Sequence, residues 1–282
     1  MKGGIDMGKV VSFINMKGGV GKTTLAVNVG YTLSKMFNKK VILIDMDPQM
    51  NATQYTLKED QIEAILKEPK KSIYGILSEE YNLPSVTQTN DTSNEINPIF
   101  EISENFDLIP SHLKVMAINL DESPYRLRQY INDTLRDSYD IVIIDSPPTI
   151  SSYTKVSLLA SDMYVVPMKT DFLSFFGLPL LESYIERIKR EFGKDIDFLG
   201  IILTMVRQDW RIYRTVKEKL MQQSRWSSKL FSAELKYRTV VARALSPEER
   251  ESRSQYILDL GDNELKEQIV QIVREILRRG RL

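Results

Sequence analysis

Residues 17–24 read Lys-Gly-Gly-Val-Gly-Lys-Thr-Thr and lie between the apolar run 10–14 and the helical pattern 25–37. This order predicts a buried strand, a glycine-rich turn and a helix N-terminus. The backbone N–H groups of such a turn bind a phosphate chain, and the positive end of the helix dipole strengthens the binding. We therefore expect a nucleotide-binding loop in which Lys22 contacts the β- and γ-phosphates and the Thr23 hydroxyl binds a magnesium ion.

The loop differs from the ordinary phosphate-loop pattern at its start. That pattern has glycine at position 16, whereas this chain has Met16 followed by a second lysine, Lys17. A glycine-rich turn with two surface lysines is the simpler alternative, but the flanking strand and helix favour a nucleotide site. The residues expected to contact the nucleotide are Lys17, Gly18, Gly19, Val20, Gly21, Lys22, Thr23 and Thr24.

Two further apolar runs end in aspartate. Residues 41–44 are followed by Asp45 and Asp47, and residues 141–144 are followed by Asp145. Fully apolar runs are typical of buried parallel strands, whose carboxyl ends form the ligand-binding edge of a sheet. Carboxylates at that edge can bind magnesium and its water molecules. The alternative is that each aspartate caps a following turn, but two such runs beside a phosphate loop favour the metal site.

With these features the sequence resembles the ParA/MinD group of deviant phosphate-loop ATPases, and in particular the ParA-type plasmid and chromosome partition ATPases. The resemblance covers most of the chain, and besides the loop and the two aspartate-ended runs it includes residues 72–77, 107–111, 165–167, 177–178 and 203–205. It implies an α/β fold, a doubly wound and mostly parallel sheet flanked by helices, with ATP and Mg²⁺ as ligands. Strands that alternate with helical patterns along the chain favour the same fold class.

The resemblance also implies roles for individual residues. Lys17 is then the signature lysine, which reaches the partner's nucleotide in an ATP-bound homodimer. Asp47 positions or activates the attacking water, and with Lys17 and Lys22 it completes the expected catalytic set. The expected metal set is Thr23, Asp45 and Asp145, with Asp45 assisting around the metal and Asp145 binding it through water.

The partners that the resemblance implies are a second copy of the chain, non-specific DNA and a ParB-like centromere-binding protein that stimulates hydrolysis. Such an ATPase would be cytoplasmic and associated with the nucleoid. The sequence has no run long enough to span a membrane and no apolar signal segment at its start, which agrees with that location.

Composition narrows the class of protein further. The chain of 282 residues is 42% hydrophobic, which suits one domain over residues 10–282 after a flexible terminus 1–9. The absence of cysteine excludes relatives that hold an iron–sulfur cluster or bind arsenic through thiols. A single histidine excludes a histidine-based metal site. Residues 87–104 are predicted to form a polar loop, and residues 263–279 a final helix.

Charge is segregated along a chain whose net charge is zero. Residues 207–243 carry ten basic and three acidic side chains, or +7, whereas residues 57–107 carry four lysines and eleven acids, or −7. A basic segment predicts a polyanion partner, although an ordinary solvated helix face is the alternative. The residues expected to contact DNA are Arg207, Arg211, Arg214, Lys217, Lys236 and Arg238.

Two features leave alternatives open. The final helix has an apolar stripe and a basic end, as a MinD-like membrane-cycling ATPase would, but a closing helix packed on the core has the same pattern. Residues 232–235 read Ser-Ala-Glu-Leu where partition ATPases commonly have Ile-Pro-Arg-Asn near the adenine, so the base contacts stay unassigned. The guanine-reading motif Asn-Lys-x-Asp is absent, which favours ATP. A phosphate-loop enzyme acting on a small metabolite is a third possibility.

Overall fold

A computed structural model describes residues 7–78, 97–243 and 254–282. The strands of the described part form a seven-stranded sheet in the order β3-β4-β2-β5-β1-β6-β7. Every neighbouring pair is parallel except β3 and β4, so the predicted doubly wound, mostly parallel sheet is confirmed. The strands are β1 (Lys9–Phe13), β2 (Val41–Asp45), β3 (Phe100–Ser103), β4 (Phe106–Ile109), β5 (Ile141–Asp145), β6 (Met163–Lys169) and β7 (Asp197–Thr204).

Helices cover both faces of this sheet, which explains why its central strands are apolar on both sides. Along β2, Leu43 joins the core cluster that includes Leu25 and Ile272, whereas Ile42 joins the opposite cluster with Ile76 and Leu127. The α-helices of the described residues are α1 (Lys22–Phe37), α2 (Asn51–Thr56), α3 (Glu59–Lys67), α4 (Ile73–Leu77), α5 (Arg126–Tyr130), α6 (Ser152–Ala160), α7 (Phe172–Phe192), α8 (Arg211–Gln222), α9 (Ser224–Ser227), α10 (Thr239–Arg243) and α11 (Asn263–Gly280).

The register of the central strands brings the predicted acids together. Asp45 at the end of β2 and Asp145 at the end of β5 are direct partners on neighbouring parallel strands. Phe13, the last residue of β1, is the partner of Asp145 on the other side, and the glycine-rich loop follows it. The loop and both acids therefore lie at one edge of the sheet, as the sequence predicted.

Two predicted boundaries are wrong. The flexible terminus was expected to reach residue 9, but Lys9 is the first residue of β1, and the Gly8 N–H already donates to the Arg136 carbonyl at 2.9 Å. The polar loop was expected over residues 87–104, but Phe100–Ser103 is a strand that pairs with β4. An edge strand pairs on one side only and does not need a buried apolar run, so its sequence looks like a loop. Residues 1–6 and 87–96 lie outside the described residues.

The final helix packs on the core, which decides between the two interpretations of its apolar stripe. Leu265, Ile269, Ile272 and Val273 are completely buried, and all of them belong to the core cluster on the α1 side of the sheet. At the basic end, the Arg279 guanidinium donates to backbone carbonyls of β7 and the loop after α9. Within the described part of the chain, no helix is both long and apolar enough to cross a membrane.

Candidate nucleotide site

The glycine-rich loop has the backbone geometry of an anion site. Gly19 and Gly21 have φ angles of +68° and +76°, a left-handed conformation that favours glycine. Gly21 is followed directly by α1, and no side chain of the described residues caps the first N–H groups of this helix. Those N–H groups and the positive end of the helix dipole therefore remain available to a phosphate. The Thr204 hydroxyl holds the loop in place by donating to the Val20 carbonyl at 2.5 Å.

The two loop residues expected to contact phosphate and metal lie beside Asp145. The Thr23 hydroxyl donates to Oδ2 of Asp145 at 2.6 Å, and Lys22 is 7% exposed. Burial raises the pKa of Asp145 to about 6, while the charge of Lys22 and the bond from Thr23 act in the opposite direction. The other oxygen of Asp145, Oδ1, is buried and has no hydrogen-bond partner among the residues that the structure describes. It is thus a carboxylate oxygen open to a ligand.

This arrangement fits Mg²⁺, which prefers oxygen ligands and keeps several of its waters. No group of three or more His, Cys, Asp or Glu that could hold a metal occurs among the described residues. A magnesium ion bound by one hydroxyl, one carboxylate, phosphates and water needs no such group. Thr23 and Asp145 are the residues that would hold it.

Asp45 is also buried, but its surroundings differ from those of Asp145. Its Oδ2 accepts from the backbone N–H and the hydroxyl of Thr53 at 2.8 and 2.7 Å, and its Oδ1 accepts from the Asp47 N–H at 3.1 Å. Burial and the nearby charge of Asp145 raise the pKa of Asp45 to about 8, although the bonds from Thr53 lower it.

Asp47 lies in the turn that joins β2 to α2. Its Oδ1 accepts from the Gln49 N–H at 2.9 Å, and its Oδ2 accepts from the Asn51 side-chain amide at 3.1 Å. The side chain is 3% exposed. The turn therefore holds the carboxylate of Asp47 at the same edge as Asp45 and Asp145.

The Lys17 side chain has a partner that sequence reasoning missed. Its Nζ donates to both carboxylate oxygens of Asp171, at 2.8 and 2.7 Å. Asp171 is the N-cap of α7 and also accepts from the Ser174 N–H. Burial raises its pKa, but the bonds from Lys17 and Ser174 outweigh this and hold the pKa below its ordinary value. The available signal was an aspartate two residues beyond the carboxyl end of β6, a looser form of the pattern that identified Asp45 and Asp145.

The structure separates the six basic residues that were expected to contact DNA into two groups. Arg211 and Arg214 are exposed on α8, opposite the buried stripe formed by Tyr213, Val216 and Leu220. Lys217 follows on the same helix, but it forms an ion pair with Glu234 at 2.7 Å. The DNA contacts stay a prediction, and Arg211 and Arg214 are the exposed charges of α8 that suit it best.

The second group surrounds a cavity of about 510 Å³ beyond the end of β7. Arg207 lies over the Trp210 and Tyr237 rings, 4.6 and 4.2 Å from their centroids, and Lys236 and Arg238 form ion pairs with Glu264. Arg207, Lys236 and Arg238 all line the cavity. Met205, which precedes this lining in the sequence, lies close to Gly21 of the phosphate loop.

The segment 232–235, where the sequence departs from the pattern of partition ATPases, packs beside this cavity. The Leu235 N–H donates to the Leu203 carbonyl, and the Leu235 carbonyl accepts from the Val206 N–H. Glu234 is buried and accepts from both Lys217 and Tyr213. Backbone bonds therefore tie this segment to β7 and the residues after it, and the Glu234 side chain ties it to α8.

Comparisons with known proteins agree with this geometry. Residues 8–198, more than half of the chain, match the AAA domain family. The sporulation initiation inhibitor protein Soj of Bacillus subtilis is 29% identical over 206 residues, which cover 71% of this chain and 74% of that protein. The chromosome partitioning protein ParA of Myxococcus xanthus is 29% identical over 220 residues, 78% of this chain and 72% of that one.

A solved structure shares the fold over almost its whole length. It is a plasmid partition protein, described as putative, from Borrelia burgdorferi, and it is bound to the ATP analogue AMPPNP. Its TM-score is 0.74 at 26% identity, with 96% of this chain and 99% of that chain covered.

Proposed function

This chain belongs to the AAA domain family and, within it, to the ParA-type partition ATPases, and on that basis we propose that it is a Mg²⁺-dependent ATPase that segregates DNA. One observation carries the chemistry of the proposal. Thr23 of the phosphate loop bonds one oxygen of Asp145, the charge of Lys22 acts on the same carboxylate, and the other oxygen has no hydrogen-bond partner among the described residues, at the sheet edge that also holds Asp47.

The residues of this site have different roles in the proposed hydrolysis of ATP. The loop N–H groups and Lys22 bind the phosphates and stabilise the charge that grows on them in the transition state. Thr23 and Asp145 would hold Mg²⁺, which would neutralise phosphate charge when bound. Asp47, held by the turn after β2, would orient the attacking water and accept its proton as the water oxygen bonds to the γ-phosphorus and the bond from that phosphorus to the β–γ bridging oxygen breaks, which releases ADP and phosphate.

The cavity beyond β7 is the place for the nucleoside. Its lining begins at Val206, next to Met205, which lies close to Gly21, and a nucleotide with its phosphates on the loop would extend towards it. In this assignment Arg207, Lys236 and Arg238 face the nucleotide. For these three side chains we therefore favour nucleotide contacts over the predicted DNA contacts.

ATP is proposed to assemble a homodimer through the face that carries Lys17. The first turns of α7, which begin next to the Lys17–Asp171 pair, expose a large apolar surface. Leu173, Phe176 and Leu180 are 74%, 65% and 62% exposed. Exposed apolar side chains grouped on one helix face support a protein contact. In the dimer, Lys17 of each subunit would reach the phosphates of the other.

The dimer is proposed to bind DNA without sequence preference and to release it after hydrolysis. Arg211 and Arg214 are exposed on α8. Arginine side chains can bind DNA phosphates without contacting the bases, so they suit binding without sequence preference. A ParB-like protein, bound to centromere DNA, would stimulate hydrolysis and move with the ATPase together with that DNA. A cytoplasmic, nucleoid-associated location follows from this proposal. The burial of the apolar face of α11 argues against the membrane-cycling alternative.

The test is ATP-dependent DNA binding by the purified chain with three variants. Lys22→Ala is expected to lose ATP binding, because the loop loses the charge that meets the β- and γ-phosphates. Asp47→Ala is expected to bind ATP and DNA but to release DNA far more slowly than the parent. Calorimetry with ATP, phosphate release and DNA binding together decide the matter.

The third variant, Thr215→Ala on α8, is the control and should behave as the parent does. DNA binding that does not depend on ATP in the parent would contradict the proposal. ATP-dependent binding to anionic vesicles instead of DNA would favour the membrane-cycling class.

A further inference from the structure

The carboxylate of Asp45 is enclosed by donors from its own chain. Oδ1 accepts from the Asp47 N–H at 3.1 Å, and Oδ2 accepts from the backbone N–H and hydroxyl of Thr53 at 2.8 and 2.7 Å. The side chain is completely buried. Protein donors therefore bind both oxygens of this group before any ligand arrives.

A second bond sets the direction of the Thr53 hydroxyl. The Ser111 N–H donates to Thr53 Oγ1 at 2.8 Å, so that a lone pair of the hydroxyl is already used. A threonine hydroxyl has a single proton, and here that proton points to Asp45. Thr53 is itself completely buried, which makes each of these bonds costly to break. The end of β4 thus holds Thr53, and Thr53 holds Asp45.

Asp145 has the opposite environment, although it is the register partner of Asp45. Its Oδ2 accepts from Thr23, and its Oδ1 has no hydrogen-bond partner in the described part of the chain. Of these two neighbouring carboxylates, Asp145 is therefore the one with an unbonded buried oxygen.

What Asp45 does hold is the turn that carries Asp47. Its Oδ1 binds the Asp47 N–H, and the Asp47 carbonyl accepts from the Met50 N–H at 2.8 Å. Met50 has a φ of +57°, an uncommon conformation for a residue other than glycine. A strained turn of this kind persists only where its surroundings fix it. The buried bond from Asp47 to Asp45 is one such constraint.

We propose that Asp45 is a positioning residue, locked by the Thr53 hydroxyl, which sets the turn that carries Asp47 and leaves the metal contact at this edge to Asp145 and Thr23. The inference deepens the proposed function and rests on it. A carboxylate that orients a water must be held within a fraction of an ångström, since small misplacements slow a reaction strongly. Asp45 acts on hydrolysis through Asp47 and does not touch the nucleotide.

The test uses Thr53→Val, which keeps the shape of the side chain and removes the hydroxyl. Turnover of ATP is expected to fall about 10- to 100-fold, the usual effect of losing a group that orients a reacting residue. The dissociation constant for Mg-ATP, measured by calorimetry, is expected to stay at the parental value. Asp145→Asn should instead weaken Mg-ATP binding. Thr53→Ser keeps the hydroxyl and should restore most of the turnover.

The chain offers a matched control in the same helix. Thr56 is also buried, but its hydroxyl donates to the Ala52 carbonyl at 2.8 Å. Thr56→Val therefore removes a buried hydroxyl that does not face a carboxylate, and it should turn over ATP as the parent does. Thermal melting of all variants shows whether they are folded.

A second measurement tests the role of Asp45 and Thr53 in holding the turn without depending on ATP hydrolysis. Hydrogen exchange in the segment 46–50, followed without nucleotide, should be faster in Thr53→Val than in the parent and in Thr56→Val. Parental exchange and turnover in Thr53→Val would overturn the inference, and so would a loss of Mg-ATP affinity equal to that of Asp145→Asn. If the parent does not hydrolyse ATP, the proposed function fails, and the exchange result still decides whether Asp45 and Thr53 hold the turn.

Discussion

The ammonium group of Lys17 lies 2.7 Å from Oδ2 of Asp171 in the same chain. The pair joins the phosphate loop to the N-cap of α7, and it is partly exposed, with 35% of the Lys17 side chain and 21% of the Asp171 side chain accessible. A lysine proposed to reach the nucleotide of a second subunit is thus held within its own subunit. Lys17 must leave Asp171 before it can reach the partner, and this release is a step that can be measured.

Lys17→Gln should separate nucleotide binding from assembly. The variant keeps Lys22 and the loop backbone, so it should bind ATP as a monomer with an affinity close to that of the parent. It should fail to form a dimer, because the charge that would reach the partner's phosphates is gone. Sedimentation velocity with a non-hydrolysable ATP analogue measures this directly, and a normal ATP-dependent dimer would refute the role of Lys17 in trans.

Asp171→Asn should make assembly easier. Asparagine is as good an N-cap as aspartate, so α7 should keep its start, while the ion pair with Lys17 is lost. A partly exposed ion pair contributes up to about 1 kcal/mol, and the homodimer breaks two such pairs, so the dimerisation constant should improve by no more than about 30-fold. The same sedimentation experiment, run at several protein concentrations, gives this constant. Weaker dimerisation would mean that Asp171 acts in the assembled state.

The exposed apolar face of α7 should be part of the dimer contact. Replacing Leu173 and Phe176 with glutamate puts two charges on this face, and buried apolar anchors of an interface typically contribute about 1 to 2 kcal/mol or more. We expect the ATP-dependent dimer to weaken at least about tenfold, with ATP binding by the monomer unchanged. Met116, which is 62% exposed in another part of the fold, provides the control. If Met116→Glu weakens the dimer equally, the effect does not belong to α7.

Arg211→Ala with Arg214→Ala should lower DNA affinity and its dependence on salt. For every DNA phosphate that the variant no longer binds, the slope of log affinity against log salt should decrease by about one unit. The matched control replaces Arg187 and Arg190, which are exposed on α7, and it removes the same net charge. DNA binding with ATP is measured against salt concentration for both double variants and the parent. Equal losses of affinity in the two variants would indicate a general charge effect.

The buried carboxylates should make the stability of the nucleotide-free protein depend on pH. Burial raises the pKa of Asp45 to about 8 and that of Asp145 to about 6, above the ordinary aspartate value near 4. The folded protein therefore keeps protons that the unfolded chain has released, and this contribution to the free energy of unfolding falls as pH rises from about 4 to about 8.

Asp145→Asn should remove the contribution of Asp145 to this dependence of stability on pH. Its loss of stability between about pH 4 and pH 6 should be smaller than that of the parent. Melting temperatures of the two proteins without Mg²⁺ or nucleotide, measured across the range, give the difference curve. A difference that does not change with pH would contradict the raised pKa of Asp145.

The sequence by itself was enough to predict the phosphate loop, the aspartate-ended strands and the parallel sheet. These features are encoded locally, because glycines at positions 19 and 21 permit left-handed backbone and apolar runs identify strands buried on both faces. The final helix was also predicted almost to the residue, since its apolar stripe repeats at helical spacing.

Only the tertiary structure decided which side chains meet at the site. Asp171 lies 154 residues from Lys17, and Ser111 lies 58 residues from Thr53. A periodic pattern predicts which face of an element is buried, but it carries no information about which polar group of a distant segment will lie opposite. That pairing depends on strand order and register, so the ion pair of Lys17, the ion pair of Lys217 and the enclosed carboxylate of Asp45 became visible only when the sheet had brought those segments together.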